Sequence, residues 1–477
     1  TYYMVSTTMH FMPGCEILQS FDLVHWEHVT YVYETLDHTD AQQLKSGQNI
    51  YGQGMWAASL RYHEGRFYIC FVANDTRKTY LYTSEKIDGP WKKQLIEGFY
   101  HDGSLLFDED GRNYIVYGND EIWITELNED LTAPKKDGLH RLLVSDHKNP
   151  ELGYEGSHIQ KINGYYYIFL VHSLRDRWMR TEACFYSDSL EGEFTGGDVL
   201  CDDRGYCGQG VAQGGIVDTP DGKWYAMLFQ DSGAVGRIPI LLPVTWKDHF
   251  PIFGQNGHVP EEIEVHSTRP GYIYQPLVGS DDFCNGLLPR WQFNHDPDPR
   301  YYHLDALQGT YTITTREVCT ELTQAVNTLT QRMSYPSCAA EVTVDASALK
   351  EGDVAGLCAL QGCYAAVGIT KHHGKYEVLM LDKKEDGILD MTEGTVVESH
   401  QMDFRLEADF CNMKDEARCY YRVNKGDWLP IGTVHKLYFK LDHFTGCRFG
   451  LFCYAAEETG GSACFRDFKY YDVDEIS

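Results

Sequence analysis

The chain has 477 residues, 43% of them hydrophobic, with 41 basic against 70 acidic side chains and a formal charge of −29. That length calls for two or three domains, and that charge argues against nucleic acid and anionic membrane surfaces as partners while leaving neutral ligands such as sugars unaffected. No apolar run approaches the roughly 20 residues needed to cross a bilayer.

The elements read in chain order as a repeat. The chain opens on "TYYMVSTTM", already a strand by its aromatic and β-branched content, followed by "CEILQSFDLVHW". A second unit has an initial strand "AASLRYHE" from Ala57, then "GRFYICFVAND" from Gly65 and "TYLYTSEKIDGPW". A third has "DGSLLFDED" from Asp102, "GRNYIVYGND" from Gly111 and "EIWITELNEDL". The fourth runs "EGSHIQKIN" from Glu155, "GYYYIFLVHS" from Gly164 and "EACFYSDSLEGEF"; the fifth runs "QGGIVDTPD" from Gln213, "GKWYAMLFQDS" from Gly222 and "IPILLPVTWKDHF". Successive starts at Ala57, Asp102, Glu155 and Gln213 lie 45, 53 and 58 residues apart. Units of about 40–50 residues with several strands each are propeller blades, so residues 1–265 are expected to form a five-bladed β-propeller. The stretch from Pro260 to Pro276 reads as a linker. Residues 277–477 then alternate apolar and polar positions over short runs such as "AAEVTVDAS", "YEVLMLD" and "FGLFCYA". That pattern predicts a two-sheet antiparallel sandwich of concanavalin or jelly-roll type.

In a propeller the first strand of each blade lines the axis, so Asp102 and Glu155, at equivalent places on neighbouring blades, are expected to face one pocket. Two carboxyl groups in one pocket are the minimum for glycoside hydrolysis; capping turns or holding a central cation is the plainer alternative. Trp56, just before an inner strand, is expected at the rim as an aromatic platform for a sugar face. His10, Phe11, His172 and Gln213 fall where strands meet the axial face and are candidate substrate contacts; His172 could also hold a central water or a metal. Fifteen scattered cysteines without a CxxC pair argue against a zinc site, and buried thiols suit a reducing, cytoplasmic compartment, with secretion as the alternative.

Together "HDGSLLFDEDG", "YEGSHIQK", "MWAASLRYH", "GGIVDTPDGKWY" and "GAVGR" resemble the signatures of glycoside hydrolase family 43, and "WQFNHDPDPRYYHL" with "LTQRMSYPSCAAEVTVD" resembles the β-sandwich appended to many members. The resemblance implies an inverting β-xylosidase or α-L-arabinofuranosidase acting on the ends of xylo- or arabinoxylo-oligosaccharides, with endo-arabinanase and a catalytically degenerate sugar binder as alternatives. Glu155 matches the general acid and Asp102 the carboxylate that orients it and raises its pKa. Arg237 matches an arginine that contacts the sugar, a blade-to-blade ion pair being its plainer reading. No cofactor is implied; some members carry calcium near the axis, though no acidic cluster here has EF-hand spacing. The family's general base is an Asp on the first blade's inner strand. Here Thr1-Tyr2-Tyr3 aligns with the second strand of the other units, so that strand and its Asp are expected upstream of Thr1. The sandwich is read as a lid that buttresses the propeller, with sugar binding as the alternative.

Overall fold

The computed structural model describes residues 1–472. Five sheets follow one another along the first half of the chain. The first has three strands, Tyr2–Ser6, Gly14–Ser20 and Glu27–Tyr33; each of the others has four. The inner strands of blades two to five are Met55–His63, Ser104–Phe107, Glu155–Ile162 and Val211–Asp218. Each pairs antiparallel with the aromatic strand after it. Two of these hairpins turn on two residues with positive φ, Glu64-Gly65 and Asn163-Gly164. That geometry matches strand twist and favours Asn and Gly, as the repeat implied.

The inner strands are irregular where they reach the axis. Pairing slips between Met55 and Ala58, between Glu155 and His158, and between Ala212 and Gly215. Blade three lacks the slip, but Asp102 sits just before its short strand with φ 48°. Bulges of this kind turn a side chain out of the alternating pattern and recur beside active sites. Below them the strands are stitched together. Arg61 donates from Nη2 to Ser104 Oγ (2.7 Å) and the Ile159 carbonyl (2.9 Å), and from Nε to the Leu105 carbonyl (2.9 Å), joining blades two, three and four.

The second half is a sandwich of a nine-stranded and a seven-stranded antiparallel sheet. Val342, Val344, Phe404, Leu406 and Phe465 from one sheet meet Leu357, Val367, Phe449 and Leu451 from the other in one core. The boundary between the halves is less clean than the sequence suggests. Phe11–Met12, from the first blade, is an edge strand of the nine-stranded sheet and pairs with Gln292–Asn294. The linker runs back along blade one, where Tyr272 and Gln275 hydrogen-bond Glu27 and Thr268 bonds the Phe21 carbonyl.

This seam corrects two expectations. His10 and Phe11 do not face the axial pocket; both are wholly buried between the domains. The guanidinium of Arg448, itself buried, lies 3.8 Å over the Phe11 ring. The His10 ring packs against Tyr51, His295 and His443, and neither of its nitrogens has a hydrogen-bond partner among the described residues. The apolar pattern around "HFMPG" serves the sandwich rather than the axis.

Burial first, then the neighbouring His443, holds His295 down at about 3, and burial likewise holds His10 well below the usual imidazole range. In the unfolded chain both titrate near 6.5, so below that pH the unfolded state binds more protons and stability falls. The stability is present above pH 6.5 and is expected to drop by about 1.4 kcal/mol at pH 5.5 from His295, with a further loss in the same direction from His10, read as a lowered urea midpoint. Phe11→Ala is expected to cost about 3–5 kcal/mol. Because Phe11 belongs to both domains, scanning calorimetry should show one transition moving down; two separated transitions would contradict the shared core.

Candidate active site

Asp102 and Glu155 do meet. Asp102 Oδ2 accepts the Gly156 N–H at 2.9 Å, which ties the starts of the inner strands of blades three and four. Oxygens of the two carboxyls and a ring nitrogen of His101 all lie within 4.8 Å of one another. His101 Nε2 is 3.5 Å from Glu155 Oε2 and 3.6 Å from Asp102 Oδ2. Asn119, the last residue of the second strand of blade three, donates from Nδ2 to Glu155 Oε2 at 2.8 Å.

The electrostatics divide the two carboxyls. Asp102 is only 5% exposed, and burial, reinforced by the charge of Glu155, raises its carboxyl above the usual range against the pull of His101. Burial also opposes ionisation of Glu155, but His101, Arg180 and Arg237 outweigh it and hold this carboxyl below the usual range. The like-charge repulsion the sequence assigned to Glu155 therefore falls on Asp102 in the free protein, because Glu155 is the one that faces cations.

Arg237 and Arg180 begin the third strands of blades five and four. They share one buried carboxylate: Arg180 Nε donates to Asp231 Oδ2 (2.9 Å) and Arg237 Nε to Asp231 Oδ1 (3.3 Å). Asp231 lies directly opposite Arg237 in the same blade, so the link between blades belongs to Arg180. Arg237 is the more open, 20% exposed against 5% for Arg180. It is held between the rings of Phe229 (4.4 Å) and Phe444 (4.3 Å), and among the described residues only its Nε is hydrogen-bonded. A fixed fork of donors of this kind suits adjacent sugar hydroxyls.

Phe444 comes from the sandwich. Its ring stands edge-on to Trp56 at 5.4 Å, and Trp56 lies 6.1 Å from the His101 ring, so Trp56 and Phe444 form an aromatic wall beside Glu155. The loop that carries Phe444 is bolted to the "GAVGR" turn by the Cys447 N–H, which bonds the Ala234 carbonyl (2.8 Å), and Asp415, from a second sandwich loop, accepts the Ala234 N–H at Oδ1 (3.1 Å). Gly236 and Gly446 approach so closely that a Cβ on Gly236 would stand 2.7 Å from the Gly446 nitrogen. Gln213 also reaches the site. Its φ is 64°, its N–H bonds the buried Glu182 (2.7 Å), and its side chain packs on Gly156.

His172 does not join them. Asp146 takes its Nδ1 (3.1 Å) and Asp198 its Nε2 (2.8 Å), so neither nitrogen is left for sugar or metal. Among the described residues, His101, Asp102 and Glu155 form the one group of three such side chains close enough to share an ion. A nitrogen and two carboxyls, one of them hydrogen-bonded to backbone, do not fit calcium, which takes six to eight oxygens. Reading the sequence missed His101, Asn119, Arg180, Asp231 and Phe444. His101 adjoins Asp102, and Arg180 occupies the place in its blade that Arg237 holds in the next; nothing local marks Phe444.

Two family models match the chain: glycosyl hydrolases family 43 over residues 1–251, and the beta-xylosidase C-terminal concanavalin A-like domain over residues 280–471. A beta-xylosidase of Formosa agariphila is 26% identical over 99% of this chain and 86% of its own length. A solved structure from Bacteroides eggerthii, described as a bifunctional GH43-CE protein, superposes with a TM-score of 0.91 at 42% identity; it covers all of this chain, which spans 61% of that longer protein. A second solved structure, an engineered GH43 enzyme described as displaying both endo-xylanase and exo-arabinofuranosidase activity, has a TM-score of 0.85 at 27% identity, over 99% of this chain and 96% of its own. With both halves matched and a paired acidic site at the propeller axis, this chain belongs to glycosyl hydrolases family 43, a family of glycosidases.

Proposed function

We propose that the protein is an exo-acting glycosidase that releases xylose or arabinofuranose from the ends of xylan or arabinoxylan fragments, with inversion. The observation that carries this is the arrangement around Glu155. A carboxyl is held by Asn119 and set beside a buried Asp102, next to a wall built from both domains. Glu155 is the general acid that protonates the leaving oxygen. Arg237 donates to hydroxyls of the terminal sugar, and Trp56 and Phe444 take its apolar face. The sandwich stands against the pocket on the Arg237 side, which favours a chain end over a mid-chain segment. The names of the similar proteins, a beta-xylosidase and an enzyme with both endo-xylanase and exo-arabinofuranosidase activity, support the same substrate class.

Asp102 is a positioning residue in this scheme. An inverting pair needs carboxyls roughly 6.5–9.5 Å apart, with water between base and sugar. Asp102 is within 4.8 Å of Glu155 and bonded to backbone, so it is not the base. It fixes the start of the inner strand that carries Glu155.

Glu155→Gln should lower kcat/KM roughly 10²–10⁴-fold on xylobiose or alkyl xylosides, whose leaving oxygens need a proton. The loss should be far smaller on aryl glycosides with good leaving groups; equal losses on both would assign Glu155 to binding instead. Products from xylotetraose test the exo reading. Monomer released stepwise is expected, and Phe444→Ala, which opens the wall and frees Arg237, should raise KM and let internal cleavage appear. A mixture of short oligomers from the unaltered protein would overturn the exo assignment.

A further inference from the structure

An acid that is ionised in the free protein has no proton to give. The cations around Glu155 hold it in that form, so a donor must supply it before each turnover. The structure offers one group for this. His101 Nε2 is a buried nitrogen without a hydrogen-bond partner among the described residues, aimed at oxygens of both carboxyls, 3.5 Å from Glu155 and 3.6 Å from Asp102. A lone pair at that position would face the lone pairs of two carboxyls, so Nε2 carries a hydrogen. The residue is fixed from both sides. Its carbonyl accepts the Gly118 N–H at 3.0 Å, one residue before Asn119, and its ring leans on Trp56.

Resting on the reading of Glu155 as the acid, we propose that His101 stores the proton that Glu155 delivers, passing it from Nε2 to Oε2 when a sugar fills the site. The groups facing the pair agree with this. Burial disfavours the imidazolium and Arg77 opposes it, but Glu155 and Asp102 outweigh them and raise His101 to about 8. On the other side of Glu155 stand Arg180 and Arg237, with Asp231 between them. In water the charged pair is favoured. A bound sugar expels that water, and loss of solvation favours the neutral pair. The Nε2–H bond then breaks and the Oε2–H bond forms; the charges of imidazolium and carboxylate cancel, leaving imidazole with its hydrogen on Nδ1. Glu155 passes the proton to the leaving oxygen and becomes carboxylate again, and His101 takes a new proton from solvent once the product has left. His101 never touches the sugar bond and acts through Glu155.

The proton store sets the upper pH limit of activity, which should follow His101 and not an isolated carboxyl. In His101→Gln the alkaline limb of kcat/KM on xylobiose is expected to fall by about two pH units, toward the carboxylate range. Activity on dinitrophenyl xyloside, which needs little protonation, should fall far less. If His101 served only to lower the Glu155 pKa by its charge, the limb would move up; an upward shift or an unmoved limb overturns the proposal. A purely structural role would depress both substrates alike without shifting the limb, and overturns it too. A measurement on the unaltered protein guards against misfolding of the variant. Nitrogen-15 NMR of the His101 ring should show an imidazolium that titrates near 8 in the free protein and turns neutral when the site is saturated with xylose. A ring that stays cationic contradicts the transfer. Failure of the underlying assignment looks different: there Glu155→Gln itself would spare the substrates with poor leaving groups.

Discussion

The hydrogen bond from the Gly156 N–H to Asp102 Oδ2 is the constraint on which the site depends. It joins two blades at their axial ends and does so with a carboxyl that is 95% removed from solvent, so the acceptor is both a strut and a perturbed acid. Asp102 can reach Gly156 because its own backbone is left-handed (φ 48°), and Gly156 can receive it because it too is left-handed (φ 67°). Beyond Glycine, a side chain at 156 would meet Gln213 at 2.8 Å, so three blades converge at this point. The acid is thereby held on a rigid strand start rather than on a loop, which is what proton transfer to a defined oxygen requires.

A second dependence runs between the domains. The sandwich is not a passive appendage: it takes an edge strand from blade one, buries Phe11 under Arg448, and returns Phe444 to the propeller beside Arg237. The contacts lie on one continuous path. His443 packs in the buried histidine group while Phe444, the next residue, lines the site. The core that stabilises the pair of domains is thus the same core that positions the pocket wall. A substitution in the seam is felt as lost stability and as a misplaced arginine together.

How much of this was legible in the sequence follows from range. The repeat was readable because each blade is built from neighbours in the chain, and its turns carry Gly at fixed places. That alignment put Asp102 and Glu155 together correctly, although Ala57 and Gln213 prove to lie inside bulges rather than at strand starts. Contacts between distant segments left no such trace. Phe11 pairs with Asn294, and Phe444 meets Trp56, across separations that no local pattern records. His172 fell at the right end of its strand, yet Asp146, just past the outer strand of blade three, and Asp198, in the outer strand of blade four, claim both of its nitrogens. The direction of the pKa shifts differs from the sequence expectation for a related reason. Like-charge repulsion can be foreseen from two carboxyls, but which of them yields depends on where Arg180, Arg237 and His101 stand.

Asp102 is assigned to support Glu155 and not to attack the sugar. The most direct measurement is the anomeric form of the first sugar released, followed by proton NMR before mutarotation sets in. From a β-xyloside the account predicts α-xylose, because a water and not a protein carboxylate reaches the anomeric carbon. β-Xylose as the first product would mean a covalent glycosyl intermediate on a carboxylate close to Glu155, and would contradict the role assigned here to Asp102.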